Sequence, residues 1–254
     1  MIVRWGLDEL PAVLDELGVR SPLLVAGPRW DSLALPFVPH ARWVEVPSHR
    51  IDEAAASARA GDGVVAVGGG SAIDLGKAIS AAAEIPLVSV PTTYAGAEWT
   101  TYYGVRDPER KLRGGGAGAR PGGIVYDVGL TLGLPREPTV GTAMNALAHC
   151  AEALYVHGHN PEADEHALAG ARLIADWLPR VVAAPDDREA RTELLRGACH
   201  GGAALGGKTL LRELGVPEAD LPELATAAAQ RAGNQANPHP ATPAEIEQLL
   251  RSVW

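Results

Sequence analysis

Three consecutive glycines, Gly68-Gly69-Gly70, stand with Ser71 between an apolar run and a helical pattern. Glycines let a backbone approach a ligand closely and take up positive φ. A helix that opens at such a turn offers unpaired N–H groups and a partial positive charge to an anion. The chemistry that suits this is phosphate binding, above all the pyrophosphate of a nucleotide cofactor. Ser71 is placed to cap the helix, with Asp74 in its first turn as a capping-box partner. The same residues also make a plain strand-to-helix turn, and a short glycine cluster alone does not separate the two. A second group lies further on. Asn145 and His149 are four residues apart and share a helix face, with Glu152 nearby. A histidine there suits proton transfer, or simply packing as a half-buried ring bonded to a neighbour. Trp99, Tyr102 and Tyr103 form an aromatic stretch that suits a substrate-pocket wall or a core.

These groups need elements to position them. The apolar runs 22–26 (PLLVA), 42–46 (RWVEV), 63–67 (GVVAV) and 86–90 (PLVSV) read as strands, with weaker ones at 102–105 and 124–126. Helical spacing over 51–59 and 71–83 separates them, so the sheet is expected to be mostly parallel. Gly114 to Gly118 reads as a mobile glycine-rich loop. From Pro138 onward the pattern is helical, over 139–155, 161–182, 188–205, 221–231 and 243–253. The chain thus divides into an α/β half, 1–135, and an all-α half, 136–254.

Composition bounds the function. Apolar residues make up 46% and charged residues 21%, as in a soluble globular chain. The net charge is -9 and no Lys/Arg block stands out, which argues against a nucleic-acid partner. No apolar stretch approaches the length of a membrane span. Two cysteines, Cys150 and Cys199, and no signal peptide fit a reducing cytoplasm.

The run 68–77 (GGGSAIDLGK), followed by 90–98 (VPTTYAGAE), resembles the iron-containing alcohol dehydrogenase superfamily. Val125-Tyr126-Asp127, the run 130–135 (LTLGLP), and 144–149 (MNALAH) with 152–155 (EALY) are similar to its maleylacetate reductase branch. The resemblance implies an N-terminal dinucleotide-binding domain and a C-terminal helical domain of the dehydroquinate synthase-like fold, with the active site in the cleft between them. It implies NAD or NADP as cofactor. Gly69, Gly70 and Ser71 would meet the pyrophosphate, with Asp74 in the same motif. Thr92 and Thr93 would line the adenine side, and Lys111 would lie near the nicotinamide ribose. In metal-dependent relatives an Asp and a His at the spacing of Asn145 and His149 bind the metal. Asn145 replaces that Asp, and a neutral amide is a poorer ligand for a hard cation.

The chain also departs from the family. The stretch 196–206 looks like the family's glycine-rich helix, but Gly207-Lys208 leads almost directly to 209–216 (TLLRELGV), which resembles a much later stretch. Asn237-Pro238 and the closing helix to Trp254 then match the family's end, so the helical domain is expected to be shortened internally. That leaves no full ligand set for a tightly bound metal, since a catalytic metal usually takes three protein ligands. His200 is placed as a helix-packing or surface histidine, and the H-x-H of His157 and His159 as a solvated turn. His40, His49 and His239 carry no constellation. His49 and Arg50 are the basic residues near the second strand's end that a 2′-phosphate would need. An opened cleft needs a cover, which makes a homodimer attractive. Three functions compete on these grounds. The first is a metal-independent NAD(P)H-dependent carbonyl or enone reductase acting on a small molecule, with His149 as proton donor and Asn145 bonded to the substrate oxygen. The second is a redox-neutral cyclase, dehydratase or isomerase of specialised metabolism. The third is a non-catalytic nucleotide-binding subunit.

Overall fold

The computed structural model describes residues 1–155, 160–206, 217–230, 235 and 240–252. Eight strands are found among them: β1 (Ile2–Trp5), β2 (Pro22–Ala26), β3 (Ala41–Trp43), β4 (Gly63–Gly68), β5 (Leu87–Pro91), β6 (Tyr103–Arg106), β7 (Leu112–Gly116) and β8 (Pro121–Tyr126). Six of them form one sheet in the order β1-β8-β5-β4-β2-β3, and every pairing in it is parallel. β2, β4 and β5 are buried along their whole length. Strands covered on both faces read as continuous apolar runs, which is why the sequence displays them without alternation.

The helices are α1 (Leu10–Glu16), α2 (Ile51–Ala58), α3 (Gly70–Ala83), α4 (Arg136–Tyr155), α5 (Pro161–Ala183), α6 (Arg188–Gly206), α7 (Leu221–Ala229) and α8 (Pro243–Ser252). One face of the sheet packs on α1 through Leu10, Val13 and Leu14. The other packs on α2 and α3 through Ala54, Ala58, Ile73 and Ile79. The helical half does not stand apart: Tyr94, Ile124 and Tyr126 share one core with Ala146, Cys150, Ile174, Leu194 and Ala198. The buried Arg191 of α6 reinforces that seam, donating to Tyr94 Oη at 3.1 Å and to the Leu134 carbonyl at 3.3 Å.

Several expectations change. β1 and α1 precede the first strand expected from the sequence, and β1 is held by β8 about one chain-half away, with Val3 opposite Ile124. The third strand covers Ala41–Trp43 rather than 42–46. Of the stretch 114–118 expected as loop, Gly114 to Gly116 are strand: they belong to β7, which pairs antiparallel with β6. A side chain at Gly115 would lie 2.8 Å from the Tyr103 carbonyl, so glycine here permits close strand approach and does not signal mobility. Ser71 is the second residue of α3. Gly69 takes the N-cap position with no side-chain cap bond, so neither Ser71 nor Asp74 closes a capping box. His157, His159, Gly207-Lys208, 209–216, Asn237-Pro238, His239 and Trp254 lie outside the described residues. Among the described residues no helix is long and apolar enough to cross a membrane.

Candidate functional site

The carboxyl ends of β2, β4 and β5 open into a cleft of about 980 Å³ that reaches the face of α4. Its floor is the turn from β4 into α3. Gly68 has φ +150°, and a Cβ there would fall 2.6 Å from that of Ala72. Its carbonyl accepts the Thr92 N–H at 3.0 Å, which ties the turn to the end of β5. A Cβ on Gly69 would meet Thr93 Cγ2 at 2.8 Å, whereas one on Gly70 has nothing within 4 Å. Gly69 is therefore closed by Thr93, and Gly70 borders open space. The Ala72 and Ile73 amides bond the Gly69 carbonyl, whereas those of Gly70 and Ser71 have no helix carbonyl one turn back, and an anion over Gly70 would satisfy them. This cradle, which a Cβ would fill, fits a pyrophosphate. Ser71, Asp74, Thr92, Thr93, Tyr102 and Tyr103 all line the same cleft.

Lys77 also lines the cleft, although sequence reasoning gave it no role. Its Nζ donates to Thr100 Oγ1 at 3.1 Å, to the Tyr102 carbonyl at 2.8 Å and to Asp74 Oδ1 at 3.1 Å. An ammonium has three N–H donors, so all are committed. Burial pulls its pKa down, and Asp74 opposes that. Asp74 Oδ2 accepts the Gly104 N–H at 3.4 Å as well. Asp74 thus fixes the β6–β7 hairpin against α3 and forms the cleft wall. The signal was present as an acid and a base three residues apart on one helix.

Two sequence assignments are corrected. Lys111 is exposed outside the cleft, and its N–H bonds Asp107 Oδ1 at 2.8 Å in the hairpin turn. The hairpin side chains that do line the cleft are Arg106 and Arg110. Trp99 packs against the core and does not line the cleft. The 3-10 turn Ala97–Trp99 directs its ring against Gly202 of α6, and its Nε1–H donates to Tyr126 Oη at 2.7 Å. Tyr126 in turn donates to Glu98 Oε1 at 2.6 Å. Both Tyr126 and Glu98 are buried.

Burial raises the Glu98 pKa, against the Tyr126 hydrogen bond and the charge of Lys77. A carboxyl whose folded pKa is raised holds its proton longer in the folded state, so stability falls as pH rises from the ordinary glutamate value through the folded one. Glu98→Gln keeps an acceptor for Tyr126 and removes the ionisation. The expected outcome is that the variant's stability relative to the wild type improves as pH rises from about 4 to 8. Urea unfolding at several pH values measures this, and a pH-independent difference would count against it.

On α4, Thr142, Asn145 and His149 face the cleft. Asn145 Nδ2 donates to the Ala95 carbonyl at 3.0 Å and contacts His149 Nε2 at 2.9 Å. A carbonyl takes only a donor, so the amide orientation follows, and Nε2 must be an acceptor. The ring proton then sits on Nδ1, which lies 3.7 Å from Glu152 Oε2. Both amide hydrogens of Asn145 are thereby engaged, one on the Ala95 carbonyl and one on His149, which leaves neither for the substrate oxygen expected from the sequence. His200 pairs with His166 across α5 and α6, Nδ1 to Nδ1 at 2.8 Å. Burial pushes the Cys150 thiol up to about 11 and the Cys199 thiol up to about 12, which disarms both as nucleophiles. Among the described residues no three His, Cys, Asp or Glu side chains cluster as metal ligands. Beyond β3, Arg50 is paired with Glu53 and Glu45, and His49 does not line the cleft.

Residues 3–128 match the family model for iron-containing alcohol dehydrogenase, and residues 139–210 match that for the C-terminal part of the Fe-containing alcohol dehydrogenase family. The chain is 45% identical over 155 residues to a maleylacetate reductase of Burkholderia cepacia, covering 61% of this chain and 44% of that protein. It is 36% identical over 233 residues to maleylacetate reductase 1 of Cupriavidus pinatubonensis, covering 83% and 66% respectively. The chain therefore spans less than two thirds of the length of these relatives, 44% and 66%. A protein of solved structure from Ralstonia eutropha JMP134 is 33% identical and superposes with a TM-score of 0.73, over 92% of this chain and 73% of that one. With both halves matched and the glycine cradle in place, the chain belongs to the iron-containing alcohol dehydrogenase family.

Proposed function

We propose that the chain is an NAD(P)H-dependent carbonyl or enone reductase of the maleylacetate reductase type that works without a bound metal. The observation that carries this reading is the open cradle at Gly70 in a cleft that ends on the Asn145–His149 pair. The dinucleotide, when bound, supplies the hydride. Gly69, Gly70 and Ser71 hold its pyrophosphate, with Thr92 and Thr93 beside them. Tyr102 and Tyr103 wall the cleft. His149 is the proton donor, held by Asn145 in the tautomer that carries its proton on Nδ1. Metal independence rests on the donor set. The family's name implies iron, but Asn145 is neutral and presents its amide nitrogen, not its oxygen, to His149 Nε2. A cation at Nε2 would have to displace that contact, and its neighbour would be a donor.

Saturable binding of NADH or NADPH, followed by nicotinamide fluorescence and thermal shift, tests the cofactor site. Consumption of the reduced cofactor with maleylacetate and with simple enones tests the reaction. Exhaustive dialysis against a chelator is expected to leave the rate unchanged, and added Fe²⁺ or Zn²⁺ is expected not to raise it. Activity lost on chelation and restored by metal would remove the metal-independent part of the reading. Absence of cofactor binding would remove all of it.

A further inference from the structure

The cleft is cationic although the chain carries a net charge of -9. Arg29, Lys77, Arg106 and Arg110 line it, and Asp74 is the one carboxylate among the described residues that do. Asp74 is committed to Lys77 and the Gly104 N–H. Of the acids close in sequence to the arginines, Asp31 pairs with Arg42 at 2.7 Å and Asp107 pairs with Arg113, while Glu109 is exposed and does not line the cleft. Arg29, Arg106 and Arg110 have no ion-pair partner among the described residues.

Arg29 has a distinct place. It follows the carboxyl end of β2, the strand beside β4, in the 3-10 turn Pro28–Trp30. Gly27 of the same segment and Pro47 after β3 line the cleft with it. Trp30 Nε1 lies 4.0 Å from where a Cβ on Gly68 would stand, so this turn abuts the phosphate cradle. Arg29 Nη2 donates to the Gly133 carbonyl at 2.8 Å, and the guanidinium sits 5.1 Å over the Trp30 ring. Those contacts fix its plane and use one of five N–H donors. In dinucleotide-binding α/β folds a carboxylate beside the adenosine ribose selects the free 2′-hydroxyl of NAD, and an arginine accommodates the 2′-phosphate of NADP. Here Gly27 follows the last residue of the strand, and the charge that lines the cleft beside it is Arg29.

We propose that Arg29 receives the 2′-phosphate and that the protein selects NADPH over NADH. The proposal rests on the dinucleotide reading of the cleft. Arg106 and Arg110, on the hairpin, raise affinity for either cofactor through the pyrophosphate and do not discriminate.

The test is titration of the whole chain with NADPH and NADH, and competition by 2′,5′-ADP against 5′-ADP. NADPH is expected to bind at least about tenfold tighter than NADH, the worth of one charge-assisted hydrogen bond. The competitor 2′,5′-ADP should outperform 5′-ADP by a similar factor. Arg29→Ala should bring the NADPH Kd to that of NADH while leaving the NADH Kd in place. Arg29→Gln, which keeps a donor for Gly133, should do the same and guards against a merely structural effect. Arg106→Ala should weaken both cofactors equally. Equal wild-type affinities, or a preference that survives both Arg29 variants, overturn the proposal while the dinucleotide reading stands. Failure of both cofactors to bind overturns the two together.

Discussion

Gly70→Leu is expected to weaken dinucleotide binding by more than about 100-fold, since it displaces a phosphate from two amides worth about 1.5–3 kcal/mol each. The fold should survive. A Cβ at this position meets nothing within 4 Å, so the new side chain extends into the cleft and not into the core. Replacing a helical glycine also removes about 0.5–1 kcal/mol of backbone entropy cost, so the melting temperature should hold or rise. Gly70→Asp sharpens the contrast. A carboxylate in the first turn favours the helix dipole and repels a pyrophosphate, so stability and affinity should move in opposite directions. Gly69→Ala would be a poorer probe, because its Cβ would press on Thr93 Cγ2 at 2.8 Å and mix packing with binding. Nicotinamide fluorescence gives the affinity and urea unfolding the stability. An unchanged Kd in Gly70→Leu would show that the loop is only a turn.

How far the sequence reveals this site depends on the range of the interactions involved. The buried strands β2, β4 and β5 announce themselves because residues covered on both faces must all be apolar. The glycine cradle is legible because its signal is local: three glycines between a strand and a helix. β1 is not, because four half-exposed residues become a strand only through pairing with β8, far along the chain. β7 is hidden for a related reason. Glycines that signal freedom in an isolated peptide serve here to let Tyr103 approach, and that demand comes from β6. The aromatic stretch shows the same limit. Tyr102 and Tyr103 reach the cleft while Trp99 turns into the core, and only the 3-10 turn at Ala97–Trp99 decides which. Asn145 and His149 were paired correctly by their spacing. What the spacing lacked was the Ala95 carbonyl, which fixes the amide and with it the histidine tautomer. The arginines of the cleft are unreadable in the sequence because their significance is the absence of partner carboxylates among the described residues, a property of the fold and not of any segment.

The largest effect on stability is expected from Gly202→Ala, a substitution that adds a single methyl group. Its Cβ would stand 2.2 Å from Trp99 Cδ1 and 2.8 Å from both Cγ and Nε1. The obstruction is the body of an indole and not the end of a flexible chain, so the ring or the helix must move. Moving the ring breaks the Nε1–H bond to Tyr126, which also serves buried Glu98. Moving the helix carries Gly202 away from Gly96, where a Cβ would be 3.4 Å from the Gly202 Cα and 3.8 Å from His149 Cδ2. Overpacking of this kind costs about 1–3 kcal/mol, and a lost buried hydrogen bond adds about 1 kcal/mol. Helix propensity returns about 0.5–1 kcal/mol. The net expectation is destabilisation by about 2 kcal/mol, with a parallel loss of activity because either movement reaches the α4 wall of the cleft. A double-mutant cycle isolates the cause. In a Trp99→Ala background the methyl group has room, so Gly202→Ala should become neutral or stabilising. If the two substitutions instead add, the cost of Gly202→Ala lies elsewhere, and Trp99 is not the element that couples α6 to the site.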